Sequence, residues 1–370
     1  MTVVISMSAL AAACGGSGAA QPSVGVSPAV AGGVQQLLHD TWQSYARVFI
    51  TGDGRVLDPR SNNDTTSEGQ SYALLRAAWM NDRTTIDTVW SWTRDHLWTP
   101  QNRFAYLWNQ GSVQDADSAT DADQDIALAL LFAAHQWNDG EYRSWASRAI
   151  QSVWSNDVVT VNGTPYVVAG NWAAQRISAL VVNPSYFAPY AYRIFAHADG
   201  AHDWMSLVQS SYSVLAAASK AQLGGGAAVG LPPNWCVLDP SDGSIRTYAQ
   251  KADGDDYGYD AFRVMWRIAL DVVWNQSSDG RTYLASQQFL WTQWQQRATV
   301  APVYAHDGTP QAQYDDATVY GGDIGAFLSR PGSARDIVQQ KLVASLHHQG
   351  AATYFGQPDN YYGNNWVWFG

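Results

Sequence analysis

Residues 121–137 read DADQDIALALLFAAHQW, and this stretch decides the architecture. After three aspartates at alternate positions, every residue from Ile126 to Ala134 is apolar. A helix that is apolar all round has no face for water, so it must pack on every side. Residues 82–97, DRTTIDTVWSWTRDHL, differ: their apolar side chains form one stripe at helical spacing and the remainder is polar, as in a helix with one outer face. Working outward from these two, helical patterns cover 33–49, 68–80, 82–97, 121–137, 140–154, 185–198, 201–220, 256–274, 282–295, 315–329 and 333–348. Inner and outer kinds alternate along them. Sustained strand alternation is scarce; the exception, DVVTVNGTPYVVAG at 157–170, reads as a hairpin turning at Asn162-Gly163. A single all-α domain built as a ring of about six helical hairpins, an (α/α)-barrel, satisfies the alternation, and so does an open helical solenoid.

Composition narrows the function. Of 370 residues, 46% are hydrophobic and 14% charged, enough apolar surface for a large core. Acidic side chains outnumber basic ones, 32 to 21, and a formal charge of -11 repels a phosphate backbone, so nucleic acid is not an expected partner. The chain carries 18 Trp and 19 Tyr, whose flat faces suit a core and also suit stacking on sugar rings.

The starts of the inner helices share a character. TTSEGQSYALL begins with Ser67 and Glu68, and SATDADQDIALALL with Asp121, Asp123 and Asp125. NPSYFAPYAY begins with Tyr186, DGDDYGYDAFRVMW with Tyr257, Tyr259 and Asp260, and AQYDDATVY with Tyr314, Asp315 and Asp316. If the inner helices run parallel, these acids and aromatics converge at one end of the barrel and line one cleft. Capping of orphan backbone N–H groups is the plainer expectation for Asp121, Asp123, Asp125, Asp315 and Asp316 taken singly. Glu68 follows Ser67 and so falls inside a first turn, ahead of an apolar run. Asp260 has Arg263 one turn further on, a spacing that orients a carboxylate and favours its charged form, or forms a structural ion pair.

Two carboxylates facing across a cleft among aromatic platforms fit glycoside hydrolysis, one as proton donor and one as base or nucleophile. Rival chemistries lack their residues. LGGGAAVGLPP at 223–233 has no Lys-Ser/Thr of a phosphate loop, no HExxH metal motif occurs, and the acids after Thr120 lack the spacing of a calcium loop. No metal or other cofactor is expected.

At these motifs the chain resembles glycoside hydrolase family 8. TTSEGQSYALLRAAWMNDRTTIDTVWSWTRDHL (65–97) resembles one signature of that family, and ATDADQDIALALLFAA (119–134) another. NPSYFAPYAYRIF, YGYDAFRVMWR and NNWVWFG follow in the family's order, from about Gly33 onward. The resemblance implies an (α/α)6 barrel and an inverting mechanism on β-1,4-linked polysaccharide. It implies Glu68 as general acid, Asp260 as general base and Asp121 as the carboxylate holding the sugar at the cleavage point. Trp108 and Tyr186 match sugar-contacting aromatics, while Tyr259 and Arg263 match residues that position the water and the base. Tyr314 and Asp316 join the expected substrate-binding set. The place of Asp260 argues against a chitosanase. An endo-1,4-β-glucanase is the expectation, with a β-1,4-xylanase as runner-up and a non-catalytic glycan-binding protein or a polysaccharide lyase as rivals of other classes. The helix that includes NNWVWFG is expected to be short. Glu68 poses a difficulty, because a helix N-terminus lowers a carboxyl pKa and a proton donor needs it raised. The charge of Asp121 and exclusion of water by substrate are the expected counterweights.

The beginning of the chain is of another kind. Residues 1–14 carry a short apolar run ending in LAAA before Cys14, similar to a lipoprotein signal, although no Lys or Arg precedes it. A Gly/Ser/Ala/Pro-rich linker is expected over 15–33 and the catalytic domain over 34–370. The expected protein is exported, a monomer, and in contact with membrane only through a lipid on Cys14.

Overall fold

The computed structural model describes residues 28–175 and 177–370; Cys14 and the segment 1–14 lie outside them. Six inner helices form a ring: α2 (Ser67–Trp79), α4 (Thr120–Gln136), α6 (Pro189–Ala198), α8 (Arg263–Asn275), α11 (Ala317–Asp323) and α13 (Tyr361–Phe369). Each is preceded by an outer element: α1 (Pro28–Phe49), α3 (Arg83–Leu97), α5 (Gly140–Asp157), α7 (Trp204–Ala218), the pair α9 (Ser278–Ser286) and α10 (Gln288–Arg297), and α12 (Pro331–Ile337). The six hairpins make the expected (α/α)6 barrel. On α4 every residue from Thr120 to Leu130 is buried, whereas α3 buries Ile86, Val89, Trp90, Thr93 and Leu97 along one stripe. Outer α1 begins at Pro28, inside the stretch read as linker, because proline suits a first helical turn and Ala29–Ala31 continue it.

The ring closes where α13 meets α2, which excludes the open solenoid. Asn365 Oδ1 accepts from Arg76 Nη1 at 2.9 Å, and Trp366 Nε1 donates to the Tyr72 hydroxyl at 3.2 Å. Arg76 is buried, and its guanidinium lies 5.1, 4.4 and 4.6 Å from the ring centres of Trp42, Tyr45 and Trp368. Aromatic faces thus stand in for a counter-carboxylate and tie α1, α2 and α13 together. On α11, a Cβ at Gly321 would stand 2.1 Å from the Trp366 carbonyl oxygen, and one at Gly325, in the 3-10 turn that follows, 1.9 Å from that of Met265. Only glycine lets this short helix nest between α8 and α13.

The connections depart from the sequence reading in three places. The helix expected from residue 256 begins at Arg263, because Tyr257 pairs in an isolated bridge with Tyr304 and the chain then turns through 259–262. The pattern at 282–295 is two helices, broken at Gln287. The pattern at 333–348 is a helix only to Ile337; after a π turn and a 3-10 turn, Leu346–Gln349 pairs with Ala352–Phe355 in a hairpin that turns at Gly350, φ 60°. The expected hairpin at 157–170 is present as β4 (Val158–Val161) and β5 (Thr164–Val167), with Asn162 and Gly163 at φ 51° and 83°. Two small antiparallel sheets brace the cleft end: β1 (Thr65–Thr66), β2 (Leu107–Asn109) and β3 (Ser112–Asp115), and β6 (Leu180–Val182), β7 (Cys236–Leu238) and β8 (Ile245–Thr247).

Asn365→Ala removes the one hydrogen-bond acceptor that the buried Arg76 side chain has among the described residues. A hydrogen bond to a charged group is worth about 1.5–3 kcal/mol, and urea unfolding of the variant is expected to show a loss of that size.

Candidate active site

Three carboxylates meet at the end of the barrel where the inner helices begin. Glu68 is the second residue of α2, whose N-cap Thr66 accepts from Gly69 N at 3.0 Å. The strand ahead of it is pinned by pairing of Thr65 with Trp108 and by a bond from Ser67 N to the Tyr106 carbonyl at 2.9 Å. Buried Gln70 anchors the same turn: its Oε1 accepts from Val56 N at 2.6 Å and its Nε2 donates to the Thr93 hydroxyl at 2.7 Å. Asp121 occupies the first turn of α4. Asp260 lies in the turn before α8.

Arg263, only 1% exposed, joins all three. Its Nη1 donates to Glu68 Oε2 at 3.0 Å and to Asp121 Oδ2 at 2.8 Å, and its Nη2 donates to Asp260 Oδ1 at 2.5 Å. The Tyr186 ring centre is 5.3 Å from the guanidinium. One helical turn below, Arg267 makes a two-pronged pair with Asp125, at 2.9 and 2.7 Å, and donates to the Tyr190 hydroxyl at 2.8 Å. The repeat of four on both α4 and α8 stacks these two rungs. Glu68 Oε1 is met by the Tyr361 hydroxyl at 2.8 Å, and Asp260 Oδ2 accepts from Trp235 Nε1 at 2.9 Å.

Burial pushes Glu68 up to about 7; the Arg263 cation opposes this, and the charges of Asp121 and Asp260 add to the rise. Burial within the protein itself therefore outweighs the guanidinium, and of the two expected counterweights the charge of Asp121 contributes to the rise. Burial also raises Asp121, against the pull of Arg263 and Arg267.

The carboxylates face a cavity of about 350 Å³ walled by Tyr106, Trp172, Tyr186 and Trp235, with Asp115, Asp117 and Lys251 also on its lining. Of the expected residues, Glu68, Asp121, Asp260, Arg263 and Tyr186 are brought together here. Trp108 is not on this lining; its ring lies under Arg55, 4.3 Å from the guanidinium carbon. Tyr259 turns its hydroxyl to Asp316 Oδ2 at 2.5 Å and the Tyr314 hydroxyl at 3.0 Å instead of to Asp260. Asp316 does cap α11, accepting from Thr318 N at 2.9 Å. Asp315 bonds the Tyr320 hydroxyl and Lys341, and Asp125 is ion-paired, so neither is a cap. Neither oxygen of buried Asp123 has a hydrogen-bond partner among the described residues, and burial, then the charge of Asp157, hold its carboxyl well above the ordinary range. Tyr361, Tyr106, Trp172 and Trp235 escaped the sequence reading. Tyr361 starts the last inner helix, so the rule that found Glu68 and Asp121 reaches it too. Among the described residues no group of three or more His, Cys, Asp or Glu side chains is placed to hold a metal ion.

Comparison with known proteins gives the following. The sequence profile of Glycosyl hydrolases family 8 matches residues 24–365. Endoglucanase C of Ruminiclostridium cellulolyticum is 30% identical over 260 residues, covering 67% of this chain and 52% of the relative. The chain thus matches about half the length of such curated relatives. Among solved structures, the β-1,3-1,4-glucanase of Paenibacillus sp. X4 superposes with a TM-score of 0.75 at 21% identity, covering 95% of this chain and 94% of that one. A xylanase from Teredinibacter turnerae superposes with a TM-score of 0.71 at 18% identity, over 93% and 92%. At these identities the two structures establish the shared fold.

Asp121→Asn removes one of the charges that raise Glu68 and leaves Arg263 in place. The Glu68 carboxyl is expected to titrate below its value of about 7 in the variant, measured by NMR of glutamate labelled with carbon-13 at the side-chain carboxyl.

Proposed function

The chain belongs to glycosyl hydrolase family 8, and from that premise we propose that it is an inverting, endo-acting hydrolase of β-1,4-linked glucan. The observation that carries the reading is the single buried guanidinium shared by three carboxylates, one of which holds its proton to about pH 7. A glucan chain lies in the cleft against Tyr106 and Trp172, and Asp121 accepts hydroxyl hydrogens of the sugar at the cleavage point. Glu68 Oε2 accepts from Arg263 and Oε1 from the Tyr361 hydroxyl, and in this reading the carboxyl proton is carried on the free side of Oε1. That proton passes to the glycosidic oxygen as the bond from it to the anomeric carbon breaks. A water on the opposite face attacks the anomeric carbon and gives its proton to Asp260. Inverting pairs stand roughly 6.5–9.5 Å apart, against about 5–5.5 Å in retaining ones, to leave room for the water. Membership of the family, which implies inversion, supports the wider class.

Named relatives bear on the substrate. The endoglucanase similarities support glucan over xylan. Tyr259 and Tyr314, outside the cavity of the carboxylates, offer further rings to a long chain and support endo action. The N-terminal segment ending in LAAA and Cys14 supports export with a lipid on that cysteine. Cys14→Ser is then expected to release the full-length exported protein from the membrane fraction, and an unchanged distribution on fractionation removes the anchor.

Glu68→Gln and Asp260→Asn are each expected to lower kcat on carboxymethylcellulose at least about a hundredfold, the lower range of a general acid or base contribution. The sign of the pH dependence follows from Glu68: the donor is present below about pH 7, so kcat/KM falls as pH rises through that value. Proton NMR of the first products from a cello-oligosaccharide is expected to show the α-anomer. Carboxymethylcellulose, xylan and mixed-linkage glucan compared side by side test the substrate, and a Glu68→Gln protein with wild-type rate overturns the mechanism.

A further inference from the structure

Asp260 poses a problem of positioning. It lies in a turn, not in a helix, and its side chain is 30% exposed. Arg263 fixes only Oδ1, and that guanidinium is also bonded to Glu68 and Asp121. A carboxylate held at one oxygen keeps freedom about its last torsion. The second oxygen is held by Trp235, whose indole N–H donates to Oδ2 at 2.9 Å.

Trp235 is itself tightly fixed. It is 7% exposed, and its backbone N–H donates to the Gly254 carbonyl at 2.8 Å. Its ring meets Tyr186 edge-on with centres 5.7 Å apart, and the Lys251 ammonium lies 5.1 Å from its ring centre. The preceding residue acts on the same turn from behind. Asn234 Oδ1 accepts from Gly258 N at 3.1 Å and Ala261 N at 2.9 Å, on either side of Asp260, while its Nδ2 donates to the Asp253 carbonyl at 3.0 Å. Two consecutive residues at the entry to β7 therefore hold the backbone around Asp260 and the carboxylate itself.

We infer that Asn234-Trp235 is the positioning device of the base, Trp235 orienting the Asp260 carboxylate toward the attacking water and Asn234 fixing the turn that carries it. The inference rests on the reading of Asp260 as the base. With one donor on each oxygen, the carboxylate is held at both ends while it lines the cleft.

Trp235→Phe keeps a flat ring and removes the N–H. In this variant kcat on a soluble cello-oligosaccharide is expected to fall roughly 10- to 100-fold, the rate equivalent of one hydrogen bond to an ionised group, with KM within about twofold. Trp235→His, which retains a ring N–H, recovers part of the rate. A second measurement works through the base. In Asp260→Ala, azide replaces the activated water and needs no base, so adding Trp235→Phe is expected to leave the azide-dependent rate unchanged. A loss confined to KM, or an equal further loss in the azide reaction, overturns the inference and makes Trp235 a sugar platform. Should Trp235→Phe fail to fold, the indole N–H proton resonance of Trp235 in the intact enzyme decides: it moves upfield in Asp260→Asn if the bond is to a carboxylate, and an unmoved resonance overturns the inference. An Asp260→Ala enzyme active without azide fails the reading of the base, an outcome distinct from each of these.

Discussion

Three carboxylates and one guanidinium do not balance. Arg263 is sealed from solvent and needs its anionic partners, since an unpaired buried charge is among the costliest features a fold can contain. Yet a single cation leaves excess negative charge among Glu68, Asp121 and Asp260. The cheapest relief is to keep a proton on one of them. Asp121 feels the pull of Arg267, one turn below, as well as that of Arg263, while Glu68 is opposed chiefly by the shared Arg263. Burial is the first cause of the raised Glu68 carboxyl, and the charges of Asp121 and Asp260 add to it. Asp125, which engages Arg267 on both prongs, adds its own charge to the rise of Asp121.

The barrel exists around that arrangement. Asp121 and Asp125 recur at a spacing of four on α4, as Arg263 and Arg267 do on α8, so two parallel inner helices carry the ion pairs as stacked rungs. Apolar packing elsewhere fixes the spacing of those helices. On the other side of α8, the glycines of the α11 segment let backbone touch backbone, so that a ring with two short members still closes. Buried ion pairs of this kind add little stability on balance; their worth lies in fixing register and orientation.

Much of this was legible in the sequence, for physical reasons that can be named. All-round apolarity separates α4 from the one-striped α3, and that difference is enough to argue a double layer of helices. Acid residues at the starts of apolar helices stand out because charge there has to be explained, which brought out Glu68 and Asp121. Asp260 was found by its neighbour Arg263, but its backbone was misplaced: Gly258 and the bridge between Tyr257 and Tyr304 hold back a helix whose pattern already looks helical at residue 256. Trp235 carries no local mark, and Tyr361 only its place at the start of an inner helix. Each earns its place by a contact with a residue far along the chain, and a tryptophan that stacks in a wall looks the same in sequence as one that grips a carboxylate. The strands at 346–355 were hidden because the residues before them continue an amphipathic pattern, and pairing across Gly350 overrides it.

The contact between α13 and α2 has a further consequence. The junction that makes the helices a ring is also a side of the reactive centre: Tyr361 touches Glu68 at one end of α13, and Asn365 holds Arg76 one turn along. The seam of the barrel and the mouth of the cleft are one line. Local opening of that seam strips Glu68 of a neighbour and admits water to it while the other five hairpins still stand. The surroundings of the proposed donor thus depend on the closure of the ring itself.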